Sequence, residues 1–476
     1  MQSRNIFENL SPLDHRYWLS NESLFTKLSY YLSEDGAVRY CARAELALIC
    51  AHCAMRGIDI APYKTQLDSL VDELDVDAVY REEEKTKHNI RALVNVLQKL
   101  IPESLAPLVH LGATSVDILD TAFSCRIRDA VQNVVLPLLA ELVESISTLA
   151  LREADTPQIG RTHGQHAVPI TFGFALAEYV SRLGKTLERI DIASKNLRGK
   201  LAGATGSYNA LSMLYKEPER IEALYLEQLG LLPSEHATQL VEPEYLLHVL
   251  LEINCDFGII ANLADDFRNL QRTEIDEIRE GFAKTQVGSS TMPQKRNPWN
   301  SEHVKSLWKT FAPRVTTFFM DQISEHQRDL TNSASQRFIA EYIAGFCAAC
   351  NRMLSVINSL AVNREKMFEN IKVSGGAVLA EPSYILIADS GNPEAHELVR
   401  RITLEMEERH CSFEEALETH PDIKEILHKQ LEKLGYEPRS FFANPANYNG
   451  RASQKAQTIA RKYLDIAEKY KSKEVK

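Results

Sequence analysis

The residues Leu176 to Ile190, LAEYVSRLGKTLERI, show the pattern that decides the fold. Their larger apolar side chains recur at the spacing of one helix face, and they are Leu176, Tyr179, Val180, Leu183, Leu187 and Ile190. Residues 246–260 repeat this spacing. Because prolines are absent from 170–217, 244–292 and 314–381, long uninterrupted helices can form there. The sequence therefore predicts an all-α fold built around a bundle of long helices.

Length and composition are those of a globular protein with more than one domain. The chain has 476 residues, of which 44% are hydrophobic and 25% charged, and a single core rarely serves a chain of this length. The helical pattern is interrupted near Gly112 and again before the Val373–Gly376 loop. We therefore predict three domains, at residues 1–112, 113–365 and 366–476.

Helices of this length expose more apolar surface than one subunit can cover. Phe172, Phe174 and Leu176 flank the start of one such helix. A homo-oligomeric bundle would bury the remainder. The alternative is that these side chains belong to the core of a single chain.

The net charge of −11 limits the possible partners. Nucleic acids and anionic membranes bind basic faces, so an acidic chain suits neither. An anionic small molecule remains compatible with this charge, provided that cations gather locally. Residues 1–10 lack an apolar leader segment, and no run approaches the ~18 apolar residues of a membrane span. We expect a cytoplasmic enzyme.

Two cysteine pairs have the C-x-x-C spacing, Cys50 with Cys53 and Cys347 with Cys350. Both pairs lie in apolar, helix-like stretches, and neither is followed by a second pair or by histidines at zinc spacing. We interpret them as small core residues of a reduced protein, and we expect no metal site.

The segment Gly288–Pro298, GSSTMPQKRNP, is the strongest candidate for chemistry. A Gly-Ser-Ser run followed by two prolines cannot form the interior of a helix, so it joins two helical stretches as a loop. Its hydroxyls, its backbone N–H groups and the cation of Lys295 could bind the carboxylate oxygens of an anionic substrate. The alternative is a solvated connector without a ligand.

Four more polar segments interrupt the helical pattern: Thr86–Asn89, Thr114–Asp117, Arg161–Ala167 and Gln327–Ser333. In the third, His163 stands between a hydroxyl residue and a glycine, and histidine suits proton transfer near neutral pH. The second has the pattern of a helix N-cap, and a helix N-terminus also binds anions. The fourth, with Arg337 beyond it, is rich in phosphate or carboxylate ligands, unless its arginines form surface ion pairs.

Together these segments resemble the fumarase/aspartase superfamily. The Gly288–Pro298 segment, which contains the motif Met-Pro-x-Lys-x-Asn-Pro, is similar to the superfamily's signature loop. Within the superfamily the chain is most similar to the adenylosuccinate lyase family, whose N-terminal nucleotide-binding segment resembles Ser11–Tyr17. Gly203–Asn209 and Pro445–Ala452 also occur in the family's order. The resemblance extends from about residue 11 to residue 460.

The resemblance implies a three-domain, mostly helical subunit that forms a homotetramer, with each active site assembled from three subunits. It implies β-elimination of fumarate from adenylosuccinate, giving AMP, and from succinyl-aminoimidazole-carboxamide ribotide, giving the carboxamide ribotide of purine biosynthesis. It implies no metal or organic cofactor. The alternatives are a sister enzyme, such as an argininosuccinate lyase or a carboxymuconate cycloisomerase, and a non-catalytic relative of the lens-crystallin kind.

The same resemblance implies a role for each candidate residue. Ser290 would take the proton beside a succinyl carboxylate, and His163 would protonate the departing nitrogen while Glu302 orients it. His88 would hold the substrate near its phosphate or carboxylate end. The substrate ligands would be Arg16, Tyr17, Thr114, Ser115, Thr162, Gln239, Ser289, Lys295, Asn297, Arg328, Ser333 and Arg337.

One residue departs from the family's pattern. Asn89 stands where the family has an aspartate after the first histidine. A carboxylate there would favour the charged form of His88, and an amide does so less. The protonation state of His88 therefore does not follow from the resemblance.

Overall fold

Helices dominate the computed structural model of this chain, which describes residues 5–282 and 291–471. The predicted all-α class is confirmed. The N-terminal helices surround a core that includes the buried Leu48, Leu93 and Leu97. They are α1 (Arg16–Ser20), α2 (Glu22–Leu32), α3 (Glu34–Arg56), α4 (Lys64–Glu73), α5 (Val76–Thr86) and α6 (Asn89–Leu100).

The middle of the chain carries the longest helices. α7 (Ser115–Ala130) continues through one π-helical turn, Val131–Val135, into α8 (Leu136–Arg152). The next elements along the chain are β1 (Pro157–Thr162), β2 (Gln165–Thr171), α9 (Phe172–Lys195), β3 (Arg198–Gly199), α10 (Asn209–Ser212), α11 (Pro218–Leu229), β4 (Leu232–Pro233), α12 (Glu244–Leu270), β5 (Ile278–Arg279), α13 (Trp299–Phe311), α14 (Arg314–Met320) and α15 (Ile339–Ser359).

Shorter elements form the C-terminal part around a core that includes the buried Ile387, Ile402 and Phe413. They are β6 (Ala361–Val362), α16 (Arg364–Lys372), α17 (Ala380–Asp389), α18 (Ala395–Arg409), α19 (Phe413–Leu417), α20 (Pro421–Lys433), α21 (Pro438–Ala443) and α22 (Ala452–Glu468). Single turns of 3-10 helix lie at Ile6–Glu8, Pro12–Asp14, Ala61–Tyr63, Ala106–Leu108, Ser335–Phe338, Ala377–Leu379 and Pro445–Asn447.

The predicted apolar stripe forms the centre of the bundle. Its six side chains are all buried on α9, and α9 packs against α8, α12 and α22. The second predicted stripe lies on α12, where Phe257 meets Phe346 of α15 edge to face at a ring-centroid distance of 5.5 Å. Full burial of such a side chain contributes about 1.5–3 kcal/mol, so this stripe supplies much of the free energy that holds the bundle together.

Packing units in the fold are not continuous in sequence. α11 returns to the N-terminal helices, where Tyr225 and Leu226 join their core, and α22 returns to the central bundle beside α8 and α9. The division into domains at residues 112 and 365 therefore stays a prediction.

Strands play a small part in the described chain. They form three two-stranded sheets, of which β1–β2 and β5–β6 are antiparallel and β3–β4 is parallel. The antiparallel pairs lie near candidate residues, because β1–β2 carries Thr162 and His163 and β5 leads towards the signature loop.

Two helical stretches are more apolar than the sequence analysis expects. By length and composition, Ser115–Arg152 and Glu244–Leu270 could cross a membrane, and the bent pair Arg364–Lys372 with Ala377–Asp389 could count as a third span. Helices at the centre of a bundle are apolar on several faces because neighbours surround them. In the first two stretches, 67% and 56% of the most apolar window is buried within this subunit, so packing accounts for most of that apolar surface.

The cysteines are free thiols, as the sequence analysis predicts. Cys53, Cys347 and Cys350 are buried and Cys50 is half-buried. They therefore serve as small side chains in the N-terminal core and in the central bundle.

Candidate active site

His163 lies at the tip of a β-hairpin, in a segment where the sequence shows only a polar interruption of the helical pattern. β1 and β2 pair so that Thr162 stands opposite Gln165, which leaves His163 and Gly164 as a two-residue turn. Both residues have positive φ, 54° and 73°, as a type I′ turn requires. The tip is exposed, so the hairpin presents the imidazole and the Thr162 hydroxyl together at the subunit surface.

The hairpin carries a second histidine, His166, opposite Arg161. Burial and the nearby Arg161 guanidinium lower the pKa of His166. An imidazole with a lowered pKa is neutral at pH 7, so His166 is a poor proton donor under neutral conditions.

The signature loop is described from Thr291 onwards; Ser289 and Ser290 lie outside the described residues. The Lys295 N–H donates to the Met292 carbonyl at 3.0 Å and closes a turn. The Lys295 side chain is exposed and that of Asn297 is half-buried. Both polar groups are therefore accessible to a ligand from outside the subunit.

Glu280, which precedes this loop, joins the chain before the loop to the start of α13. Its carboxylate accepts hydrogen bonds from the N–H and O–H of Ser301 at 2.8 and 2.6 Å. It also accepts from the N–H and side-chain amide of Asn300 at 3.1 and 3.0 Å. These bonds satisfy N–H groups that a helix start leaves free, and they set where α13 begins.

Glu302 lies on the first turn of α13 and is exposed. Its N–H donates to the Pro298 carbonyl at 3.0 Å, but within the described parts of this subunit its carboxylate has no hydrogen bond or ion pair. Its expected contact with His163 therefore stays a prediction.

Arg328, Ser333 and Arg337 line one cavity of about 470 Å³. The helices α3, α5 and α6 also line this cavity and contribute Asn89 together with the carboxylates of Glu34 and Glu83. Ser333 and Arg337 are exposed, and Arg328 is half-buried. The fold thus brings two guanidinium groups and a hydroxyl to a single opening, a donor set that suits a phosphate or a carboxylate.

Gln239 belongs to the same cluster. The Arg328 guanidinium donates to the Gln239 side-chain oxygen at 2.9 Å, and the Gln239 N–H donates to the Gln327 carbonyl at 3.2 Å. The Arg328 Nε–H also donates to the Asp329 carbonyl at 3.2 Å. These two bonds orient the guanidinium and leave its other N–H groups for a ligand.

Thr114 and Ser115 stand at the N-terminus of α7, so the predicted N-cap is confirmed. The Thr114 N–H donates to the Asp117 carboxylate at 2.8 Å. Asp117 is completely buried and pairs with the equally buried Lys200. It also accepts from the N–H groups of Ala202 and Gly203, at 3.2 Å each. One carboxylate therefore joins the α7 terminus to the loop after β3.

Tyr17 lies on α1 directly after Arg16, and its hydroxyl is 3.0 Å from His303 Nε2. His303 comes directly after Glu302 on α13, so this contact joins the N-terminal segment to the helix beyond the signature loop. Burial and the nearby Arg352 lower the pKa of His303, which makes the neutral imidazole the prevailing form. Sequence reasoning missed His303, since no local pattern marks it.

His88 is the N-cap of α6. Its Nδ1 accepts a hydrogen bond from the Arg91 N–H at 3.3 Å, so the neutral ring carries its proton on Nε2. The side chain is exposed. The ring can therefore donate from Nε2 to a ligand while α6 fixes its orientation.

The fold brings some predicted residues together and leaves others apart. Gln239, Arg328, Ser333 and Arg337 form one cluster. In contrast, the described parts of a single subunit show no hydrogen bond or ion pair between any two of the side chains of His88, His163, Lys295 and Glu302. Each of these side chains is exposed, so one subunit presents the candidate groups on separate parts of its surface.

Sequence families match most of the chain. A family described as Lyase matches residues 16–309, and one described as Adenylosuccinate lyase C-terminal matches residues 324–440. Adenylosuccinate lyase of Pyrococcus horikoshii is 32% identical over 96% of this chain and 98% of its own length. Adenylosuccinate lyase of Aquifex aeolicus is 30% identical over 80% of this chain and 86% of its own.

Solved structures share the fold. A fumarate lyase from Mesorhizobium sp. BNC1 has a TM-score of 0.77 at 22% identity, covering 92% of this chain and 97% of its own. The 3-carboxy-cis,cis-muconate lactonizing enzyme from Pseudomonas putida has a TM-score of 0.76 at 24% identity, covering 97% of this chain and all of its own. At these identities the likeness extends to the fold alone.

Proposed function

Since this chain belongs to the adenylosuccinate lyase family of the fumarase/aspartase superfamily, we propose that it cleaves adenylosuccinate to AMP and fumarate. Its second substrate is succinyl-aminoimidazole-carboxamide ribotide, which loses fumarate in the same way. The observation that carries the proposal is the cavity where Arg328, Ser333 and Arg337 meet. In a chain of net charge −11, a local pair of guanidinium groups suits the phosphate of a nucleotide.

The bond changes define what the residues must do. A base removes a proton from the carbon beside a succinyl carboxylate, the C–N bond breaks, and its electron pair goes to the nitrogen. The electrons of the broken C–H bond become the second bond of fumarate. Ser290 is the proposed base, and His163 supplies a proton to the departing nitrogen, because an unprotonated nitrogen leaves poorly.

Charge accumulates on the carboxylate during proton removal and must be stabilised more in the transition state than before it. Lys295 and Asn297 are the proposed ligands of the succinyl carboxylates, and Ser289 adds a hydroxyl beside Ser290. Glu302 is the proposed partner that orients His163 as a donor. Arg16 and Tyr17 hold the nucleotide together with the Arg328 cavity, while His88, Thr114, Ser115, Thr162 and Gln239 supply further hydrogen bonds.

These groups meet when subunits associate. His88, His163, Lys295 and Glu302 are exposed on one subunit, and the long helix α12 leaves part of its apolar surface uncovered. We propose a homotetramer in which three subunits contribute to each site. A soluble state and a cytoplasmic compartment are part of the proposal.

The proposal is tested by the absorbance change on fumarate release, with adenylosuccinate and argininosuccinate compared at equal concentration. We expect turnover of adenylosuccinate alone; turnover of argininosuccinate alone would overturn the proposal. His163→Ala should lower kcat by about 10²–10⁴-fold, the usual contribution of a general acid. His410→Ala is the matched control, since His410 is also exposed with a positive φ of 50°, and it should leave kcat unchanged.

Mixing inactive variants tests the shared site. Ser290→Ala and His163→Ala subunits, each inactive alone, should regain activity after they are dissociated and reassembled together. Mixed tetramers without activity, shown to contain both subunits by mass spectrometry, would reject the shared site.

A further inference from the structure

Glu277, which the proposed mechanism does not use, joins the hairpin of His163 to the body of the subunit. We infer that Glu277 is a positioning residue for His163. The inference rests on the proposed function, because it takes His163 to be the proton donor.

The Glu277 carboxylate is completely buried and fully occupied. One oxygen accepts from Arg161 at 2.5 Å and from the Asn370 amide at 2.9 Å. The other accepts from the Gln158 amide at 2.8 Å and from the second Arg161 nitrogen at 3.3 Å. Four donors on a buried carboxylate leave it one stable position, since any shift would break a charge-assisted bond.

Three of these four donors, from Gln158 and Arg161, belong to the strand that leads to His163. Between Gln158 and Arg161 the hairpin register shifts, and a Cβ on Gly160 would come within 2.7 Å of the Val168 carbonyl. A bulge of this kind bends the strand and re-aims the residues beyond it. Arg161 lies beyond the bulge and two residues before His163, so its ion pair with Glu277 sets the direction of the tip.

The other side of Glu277 is anchored to the bundle. Its N–H donates to the Leu270 carbonyl at the end of α12 at 3.0 Å, and its carbonyl accepts from the Asn363 N–H at 2.9 Å. The next residues form β5, which pairs with β6. The carboxylate therefore projects from a backbone that is fixed on both sides, which is what a positioning group requires.

Glu153 offers a matched control. It is also completely buried, accepts from Arg364 at 2.8 and 2.6 Å and from Arg152 at 2.8 Å, and precedes β1. Its contacts lie at the base of the hairpin, before the bulge. Loss of its charge should lower stability without redirecting the tip.

The test compares Glu277→Gln with Glu153→Gln in steady-state cleavage of adenylosuccinate. Glu277→Gln should lower kcat by about 10²-fold, the penalty typical of a misplaced catalytic group, with KM within a factor of three. Glu153→Gln should retain kcat within a factor of three. Glu277→Asp keeps the charge on a shorter side chain, so its kcat should lie between those of the other two variants. It replaces Glu277→Gln in the comparison if that variant does not fold.

Hydrogen–deuterium exchange of residues 157–171 gives a readout that needs no activity. Glu277→Gln should speed exchange at residues 161–166, while Glu153→Gln should not. Equal kcat and equal exchange in the two variants would overturn the inference. An inactive wild-type enzyme would instead reject the proposed function, and the exchange data would still test whether Glu277 holds the tip.

Discussion

The buried pair of Asp117 and Lys200 allows a prediction in which the two partners are not equivalent. Both side chains have no exposed surface. Asp117 accepts from Lys200 and from the N–H groups of Thr114, Ala202 and Gly203. Lys200 has the carboxylate and the Gly203 carbonyl at 3.1 Å as acceptors. Each single substitution therefore leaves the remaining charged group with a different set of hydrogen-bond partners.

Breaking a buried ion pair by removing one partner costs about 3–5 kcal/mol. Lys200→Met should lower the free energy of unfolding by about 3 kcal/mol, because three backbone N–H donors still stabilise the Asp117 charge. Asp117→Asn should lower the free energy of unfolding by about 5 kcal/mol. It leaves the buried Lys200 ammonium group without an opposite charge, and its amide N–H groups face backbone N–H donors. The double variant Asp117→Asn/Lys200→Met should cost less than the sum, because neither charge remains.

Urea unfolding at one fixed protein concentration measures these differences, since subunit association contributes to the stability of an oligomer. Thr114 and Ser115 depend on the same network, so KM for adenylosuccinate should rise in both single variants. If Asp117→Asn proved no more costly than Lys200→Met, the reasoning from the number of retained partners would be refuted.

Two further predictions concern the central bundle. Gly184→Ala should lower the thermal unfolding temperature, because a Cβ there would come within 2.1 Å of the buried Tyr463 ring; overpacking of this kind costs about 1–3 kcal/mol. Gly258→Ala is its control, since the nearest atom to its Cβ is 3.9 Å away, and it should be neutral or stabilising. Burial raises the pKa of Asp256 to about 7, so the folded chain keeps a proton that the unfolded chain loses near pH 4, and stability falls as pH rises between these values. Asp256→Asn should therefore raise the unfolding temperature at pH 8 more than at pH 5; an equal change at both would contradict the assignment.

Helices follow from the sequence more directly than the site does. The stripes of residues 176–190 and 246–260 predict α9 and α12, observed at Phe172–Lys195 and Glu244–Leu270. The cap at Thr114 is also local, since the threonine and its partner Asp117 are three residues apart. The hairpin around His163 does not follow from the sequence, because a bulge breaks the alternation of its strands.

The apolar period, the proline spacing and the signature motif determine the helical class and the candidate chemistry of this protein, because each depends on residues close together in the chain. The tertiary structure alone decides which buried charges meet. Glu277 and Arg161 are 116 residues apart and Asp117 and Lys200 are 83 apart. The sequence does not identify the ion-pair partner of a single glutamate or lysine, because many residues of opposite charge could pair with it. Packing of the bundle brings one pair to hydrogen-bond distance and excludes water from it, and the proposed positioning of His163 rests on that physical selection.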